Sequence, residues 1–113
     1  MDKLTTYRQL VEQILRGYAD VINRQVQSEK ETDVVFDEQR NHYMLVSVGW
    51  HGERRIRGTT VYVRLRNGKI WIEEDWLEHG IVPELLAAGV PKEDIVLGFQ
   101  PPKMRGLTEF AEA

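Results

Sequence analysis

Four carboxylates fall close together in this chain: Glu73, Glu74, Asp75 and Glu78. Clustered carboxylates are the groups that hold Mg²⁺ for phosphoryl chemistry, so a small metal-dependent nuclease is one reading. Such an enzyme also wants a lysine in phase with its acids, and an Asp–Glu-x-Lys set is missing. Strand alternation would further place Glu73 and Glu74 on opposite faces. The plainer reading is a solvated strand end balanced by the arginines that precede it. His42, His51 and His79 lack metal-ligand spacing, and two of them fall in turns or loops. Ser28 and Ser47 lack a nucleophile motif of the Gly-x-Ser-x-Gly kind, and the glycines are too scattered to cradle a phosphate. Cysteine is absent, which removes thiolate ligands, thiol nucleophiles and disulfides. No catalytic residue, metal site or cofactor is expected.

Arg54, Arg55, Arg57, Arg64 and Arg66 form the nucleic-acid candidate, with Tyr62 and Trp71 as stacking surfaces. Residues 53–69 carry a local charge of +5, and residues 73–84 carry −5. Adjacent opposite blocks either neutralise one another or offer complementary faces for self-association. The chain as a whole has a formal charge of −3, which argues against a generally basic nucleic-acid coat. Trp76 follows three acids in an expected loop, where it either tucks under the next helix or anchors a partner, as buried aromatics do at interface hot spots.

These residues need elements to hold them. Leu4, Tyr7, Val11, Ile14, Tyr18, Val21 and Ile22 keep three-to-four spacing, which predicts a helix from about Thr5 to Gln27, widened by Leu10 and Leu15 and lying across a sheet. Gly17 in its middle costs about 1 kcal/mol against alanine and is explained by a close backbone approach or by tolerance. The polar residues 28–33 should end the helix, with a short strand at Val34–Phe36. His42–Trp50 alternates as a strong strand. Apolar groups on both of its sides predict a central strand covered on both faces.

Arg54–Arg66 returns as a strand in which Ile56 is out of phase with Val61, Val63 and Leu65, so a bulge is expected near Gly58. Asn67-Gly68 predicts a two-residue type I′ hairpin. Its register pairs Arg66 with Lys69, Leu65 with Ile70, Arg64 with Trp71, Val63 with Ile72 and Tyr62 with Glu73. A short helix over 84–88 follows Pro83 and stops at Gly89; residues 91–94 form a turn, and a last short strand spans 95–99. Leu107 and Phe110 in the tail need a groove, in this subunit or another. The sum is α+β: a long N-terminal helix packed on a four- to five-stranded, mainly antiparallel sheet with a short C-terminal helix.

A chain of 113 residues suits one domain, residues 1–113, and buries roughly two-thirds of its unfolded surface. The first residues carry no apolar stretch of the signal-peptide kind and no run is long enough to span a membrane, so a cytoplasmic protein is expected.

Several segments, taken in order, resemble the XisI-type excision controlling factors of the cyanobacterial fdxN element. They are Leu4-Thr-Thr-Tyr7, Phe36-Asp37, Val48-Gly-Trp50, Arg54-Arg55, Gly68-Lys-Ile-Trp-Ile72, Gly89-Val-Pro-Lys-Glu-Asp-Ile-Val-Leu97, Phe99 and Thr108-Glu-Phe-Ala111. The chain departs from that pattern at Trp76-Leu77-Glu78, which is often Gly-Thr-Glu. It departs again at Tyr62 and Arg64, where a histidine and an acid often stand. The resemblance implies a controlling role in excising a DNA element beside a partner of the XisH type, with a recombinase doing the cutting and joining. It supplies no active site.

The combined expectation is a non-enzymatic accessory factor that binds an XisH-type protein and forms a homo-oligomer. Trp76, Leu77, Glu78, Arg105, Leu107 and Phe110 would supply the contacts. The alternatives are a DNA-binding regulator using the arginine strand and the metal-dependent nuclease.

Overall fold

The computed structural model describes residues 2–25 and 29–113. Helix α1 (Lys3–Arg24) is followed by strands β1 (Glu29–Asp37), β2 (His42–His51), β3 (Arg54–Arg66) and β4 (Lys69–Asp75), helix α2 (Val82–Ala87), strand β5 (Ile95–Leu97) and helix α3 (Pro102–Arg105). The sheet order is β1-β2-β3-β4-β5. Every pairing is antiparallel except β4 with β5, which is parallel. This is the expected α+β class. Among the described residues, no helix is long and apolar enough to cross a membrane.

α1 begins two residues before its expected start because the Asp2 carboxylate accepts from the Thr5 backbone N–H at 2.7 Å and caps it. The expected helix end at Gln27 and Ser28 lies outside the described residues. Its buried side chains include Tyr7, Val11, Ile14, Leu15 and Ala19. Leu15, at the margin of the expected stripe, is fully buried, whereas Val21 is half exposed. The helix therefore sits rotated toward Leu15, and its face meets Tyr43, Leu45, Val61, Val63, Ile70 and Ile72 in one core. Gly17 has nothing within 4 Å of where a side chain would start, so no close approach explains it.

Polar residues are tolerated at a sheet edge, and the first strand is longer than its apolar residues predict. β1 starts at Glu29, five residues before the expected strand at Val34. β1 is an edge strand, and outward charges suit an edge because they block further pairing. Thr32 points inward and is buried, bonding the Ser47 hydroxyl at 2.8 Å and the Asn23 amide.

β2 also differs from expectation. Its inward side carries Tyr43, Leu45, Ser47 and Gly49, all buried, but its other side is open: Met44 and Val46 are half-buried, and Val48 and Trp50 are 44% and 48% exposed. An apolar pattern on both sides predicts cover on both faces, and among the described residues only one face has it. The bulge falls at the Leu45/Val46 step, where β3 carries Thr60 as the extra residue, two positions from the expected Gly58; it brings Ile56 into the same phase as Val61.

At the hairpin, Asn67 (φ 54°) and Gly68 (φ 74°) both take positive φ, as a type I′ turn needs. The register holds from Arg66–Lys69 to Val63–Ile72. A second bulge then pairs Tyr62 with Glu74 instead of Glu73. β5 ends at Leu97 rather than at Phe99, and Lys92–Asp94 forms a 3₁₀ turn.

One glycine is demanded by space. A side chain at Gly49 would lie 2.6 Å from the Lys30 Cα, with the Glu29 carbonyl oxygen closer still. Both contacts are backbone, so Gly49→Ala must push β1 off β2. The expected cost is about 1–2 kcal/mol, read as a lowered midpoint in chemical denaturation.

Candidate functional site

The acidic run ends β4 and enters the loop to α2, and each of its first three members has its own partner. Glu73 accepts from the Arg64 guanidinium at 2.6 Å. Glu74 accepts from the Trp76 indole N–H at 2.6 Å. Asp75 accepts from the backbone N–H groups of Leu77 and Ile81 at 3.2 and 2.8 Å, and so shapes the loop. Among the described residues, no three His, Asp or Glu side chains are grouped to hold a metal ion. The bulge at Glu73 also changes the geometry assumed from alternation. Glu73 and Glu74 now line one cavity of about 450 Å³, together with Asp75, Trp76 and Phe99.

Trp76 does not tuck under α2. It is 74% exposed, with its ring tethered through Glu74. Phe99 forms the other aromatic wall of the cavity and is half exposed. Of the remaining expected contact residues, Glu78 and Leu107 lie on the surface, Leu107 at 78% exposure. Leu77 and Phe110 pack against the core from its margin. Arg105 faces inward: it donates to the carbonyls of Gln100, Gly98 and Glu112 and holds the tail against the sheet. Ala111 continues that docking, donating its N–H to the Ile95 carbonyl at 2.9 Å. The expected site thus divides into an exposed part (Trp76, Glu78, Leu107) and a part that builds the fold (Leu77, Arg105, Phe110). Phe99 is not among the expected contact residues, because an aromatic after a strand reads as core.

The arginine strand also divides. Arg64, Arg66 and Arg105 place their guanidinium carbons 5.7, 5.5 and 5.3 Å from the Trp71 ring centre, surrounding a buried indole with three cations. Arg55 lies 5.1 Å from the Trp50 ring. Alternation places Arg55, Arg57, Arg64 and Arg66 on the sheet face away from α1, and Arg54 on the other. Of these five, only Arg64 takes part in an ion pair among the described residues. His42 bonds the Tyr62 hydroxyl at 2.7 Å, while His51 and His79 are exposed.

A second cavity, about 610 Å³, opens between α1 and α2 and is lined by Leu10, Ile14, Gly17, Tyr18, Val21 and Ala88 among others. Tyr18 donates its hydroxyl to Glu84 across it. Burial and this carboxylate raise the Tyr18 hydroxyl to about 12.

Comparison with known proteins matches this geometry to one group. The crystal structure of the fdxN element excision controlling factor XisI from Anabaena variabilis ATCC 29413 is 44% identical over 99% of this chain and 100% of that chain, with a TM-score of 0.84. The crystal structure of a XisI-like protein from the same organism is 35% identical over 97% of this chain and 99% of that chain, with a TM-score of 0.89. No curated protein matches. The family model for the XisI protein matches residues 1–112, and the chain belongs to the XisI family.

Proposed function

We propose that this protein is a non-enzymatic accessory factor controlling excision of a DNA element of the fdxN type, that it acts by binding a partner protein of the XisH type, and that it self-associates. Membership of a family whose crystallised member is named an excision controlling factor supports the controlling role. The observation that carries the binding role is the exposed, tethered Trp76 beside Phe99. Aromatic side chains that fill a partner's pocket dominate interface energetics. Holding the indole through Glu74 lowers the ordering cost of binding. Glu74 and Asp75 give this site an acidic side, which suits a partner with a basic patch.

A DNA-binding reading is favoured by one observation: Arg55, Arg57 and Arg66 lie on the outer sheet face and form no ion pair among the described residues. Three phosphate contacts would give a salt slope of about −3 in log affinity against log salt. The experiment is co-expression of the tagged chain with an XisH-type protein from the same genome, alongside gel shifts with DNA from the element ends. Co-elution with the protein is expected. Failure to capture it, with a salt-steep shift of element-end DNA instead, would replace the accessory reading by the DNA-binding one.

A further inference from the structure

The C-terminal tail covers only part of the sheet face opposite α1. It lies over β4 and β5, where Arg105 meets Trp71 and Val96 is fully buried. Over β1, β2 and β3 no other element packs on that face among the described residues. Its middle is an apolar line along β2, formed by Met44, Val46, Val48 and Trp50, and Val35 beside it is 46% exposed. The two flanks carry opposite charge. The registers align Glu29, Trp50 and Arg55 in one row across the strands, and Glu31, Val48 and Arg57 in the next. Each row reads acid, apolar, base. A further row reads Val35, Met44, Tyr62 and is uncharged throughout.

This pattern is complementary to itself in one orientation. A two-fold axis in the plane of contact, running close to the direction of β2, turns the face over left to right while keeping each row at its own height. Glu31 then faces Arg57 of the second copy, Glu29 faces Arg55, and the apolar line of β2 lies on its own equivalent. Packed sheets stand about 10 Å apart, a gap that opposed Glu and Arg side chains span. The other two-fold, running across the strands, would set β1 on β1 and acid on acid, which is repulsive. We infer that the bare face of β1–β3 is the contact surface of a symmetric dimer of this chain, with the acidic stripe of one copy on the basic stripe of the other. The surface rests on the self-association proposed above and gives it a place; it uses neither Trp76 nor the tail, so it stands or falls apart from the XisH-type partner. Arg55 and Arg57 become interface groups rather than DNA contacts.

Sedimentation equilibrium from ~1 to ~100 µM tests it, since that range brackets micromolar association. The wild-type chain is expected to dimerise reversibly. Glu31→Arg opposes like charges twice per dimer and should weaken association at least about ten-fold. Adding Arg57→Glu to that variant should restore it to within about three-fold, because the pair is then merely swapped. Both side chains are exposed, so unchanged circular dichroism is expected for both variants. The chain has no cysteine, so Val48→Cys supplies a single thiol, which a bis-maleimide of about 10 Å span should join to its equivalent across the axis. A wild-type chain that stays monomeric throughout, a dimer indifferent to Glu31→Arg, or a double variant that fails to recover would each overturn the proposal.

Discussion

Replacing Asp94 by alanine is expected to destabilise the protein by about 3 kcal/mol, the largest single effect anticipated here for a surface-distant polar group. Asp94 is buried just before β5 and ties that strand to the start of α1. It accepts from the Tyr7 hydroxyl and pairs with Lys3 at 2.8 Å. Alanine leaves the buried Tyr7 hydroxyl without its acceptor and cuts the link between the helix and the far edge of the sheet. A fall in melting temperature of roughly 10 °C should accompany the loss. Asp94→Asn keeps an acceptor for Tyr7 and should cost less, which separates the hydrogen bond from the charge.

The same group contributes to the acid limb of stability. Burial works to raise the Asp94 carboxyl, but the bonds from Lys3 and Tyr7 outweigh it and hold it below the usual carboxylate range. Its folded value is depressed, so the unfolded chain binds the proton more readily. Its contribution is complete above the unfolded value, near 3.9, and fades as pH falls below about 4. Asp94→Ala should flatten this part of the curve. Tyr7 has the opposite sign: burial and the neighbouring carboxylate raise its hydroxyl well above the ordinary phenol value. The stability it contributes is complete below about pH 10 and declines above it.

The second large effect concerns binding. Trp76→Ala should weaken capture of the XisH-type partner by at least about 30-fold, roughly 2 kcal/mol at a hot-spot aromatic. Its thermal stability should stay within about 0.5 kcal/mol of the wild type, because an exposed side chain away from the core contributes little. Together these outcomes mark a recognition residue, since one that merely packed would move the melting temperature as well. Glu74→Gln keeps an acceptor for the indole N–H, so it should reduce binding far less than loss of the ring.

Local chemistry made the hairpin legible. Asn67-Gly68 required positive φ at both positions, and the register followed from there to Val63–Ile72. The long helix, the central strands and the Pro83–Gly89 helix were legible for the same reason: period, caps and breakers act within a few residues. What could not be read was set by neighbours distant in sequence. Glu29–Asp33 looked like a helix exit because a charged segment has no strand signature of its own, yet as an edge strand beside β2 its charges are tolerated. The two bulges were displaced or missed because Thr60 and Glu73 have nothing local to mark them. The second bulge alone turned an acidic run expected to split into one wall of the Trp76–Phe99 cavity. Arg105 looked like a partner contact, but the carbonyls and the indole that claim it lie at a distance the sequence does not encode. The cover on β2 failed in a more telling way: the apolar pattern was real, and its second side lies open.

Recognition of another protein is the role proposed for this chain. Calorimetric titration with a purified XisH-type protein from the same genome tests it most directly. Saturable binding at a fixed stoichiometry, lost in Trp76→Ala and retained in Glu31→Arg, is the predicted result. No heat and no complex at tens of micromolar, roughly the weak limit for a specific contact, with saturation seen only against element-end DNA, would contradict it.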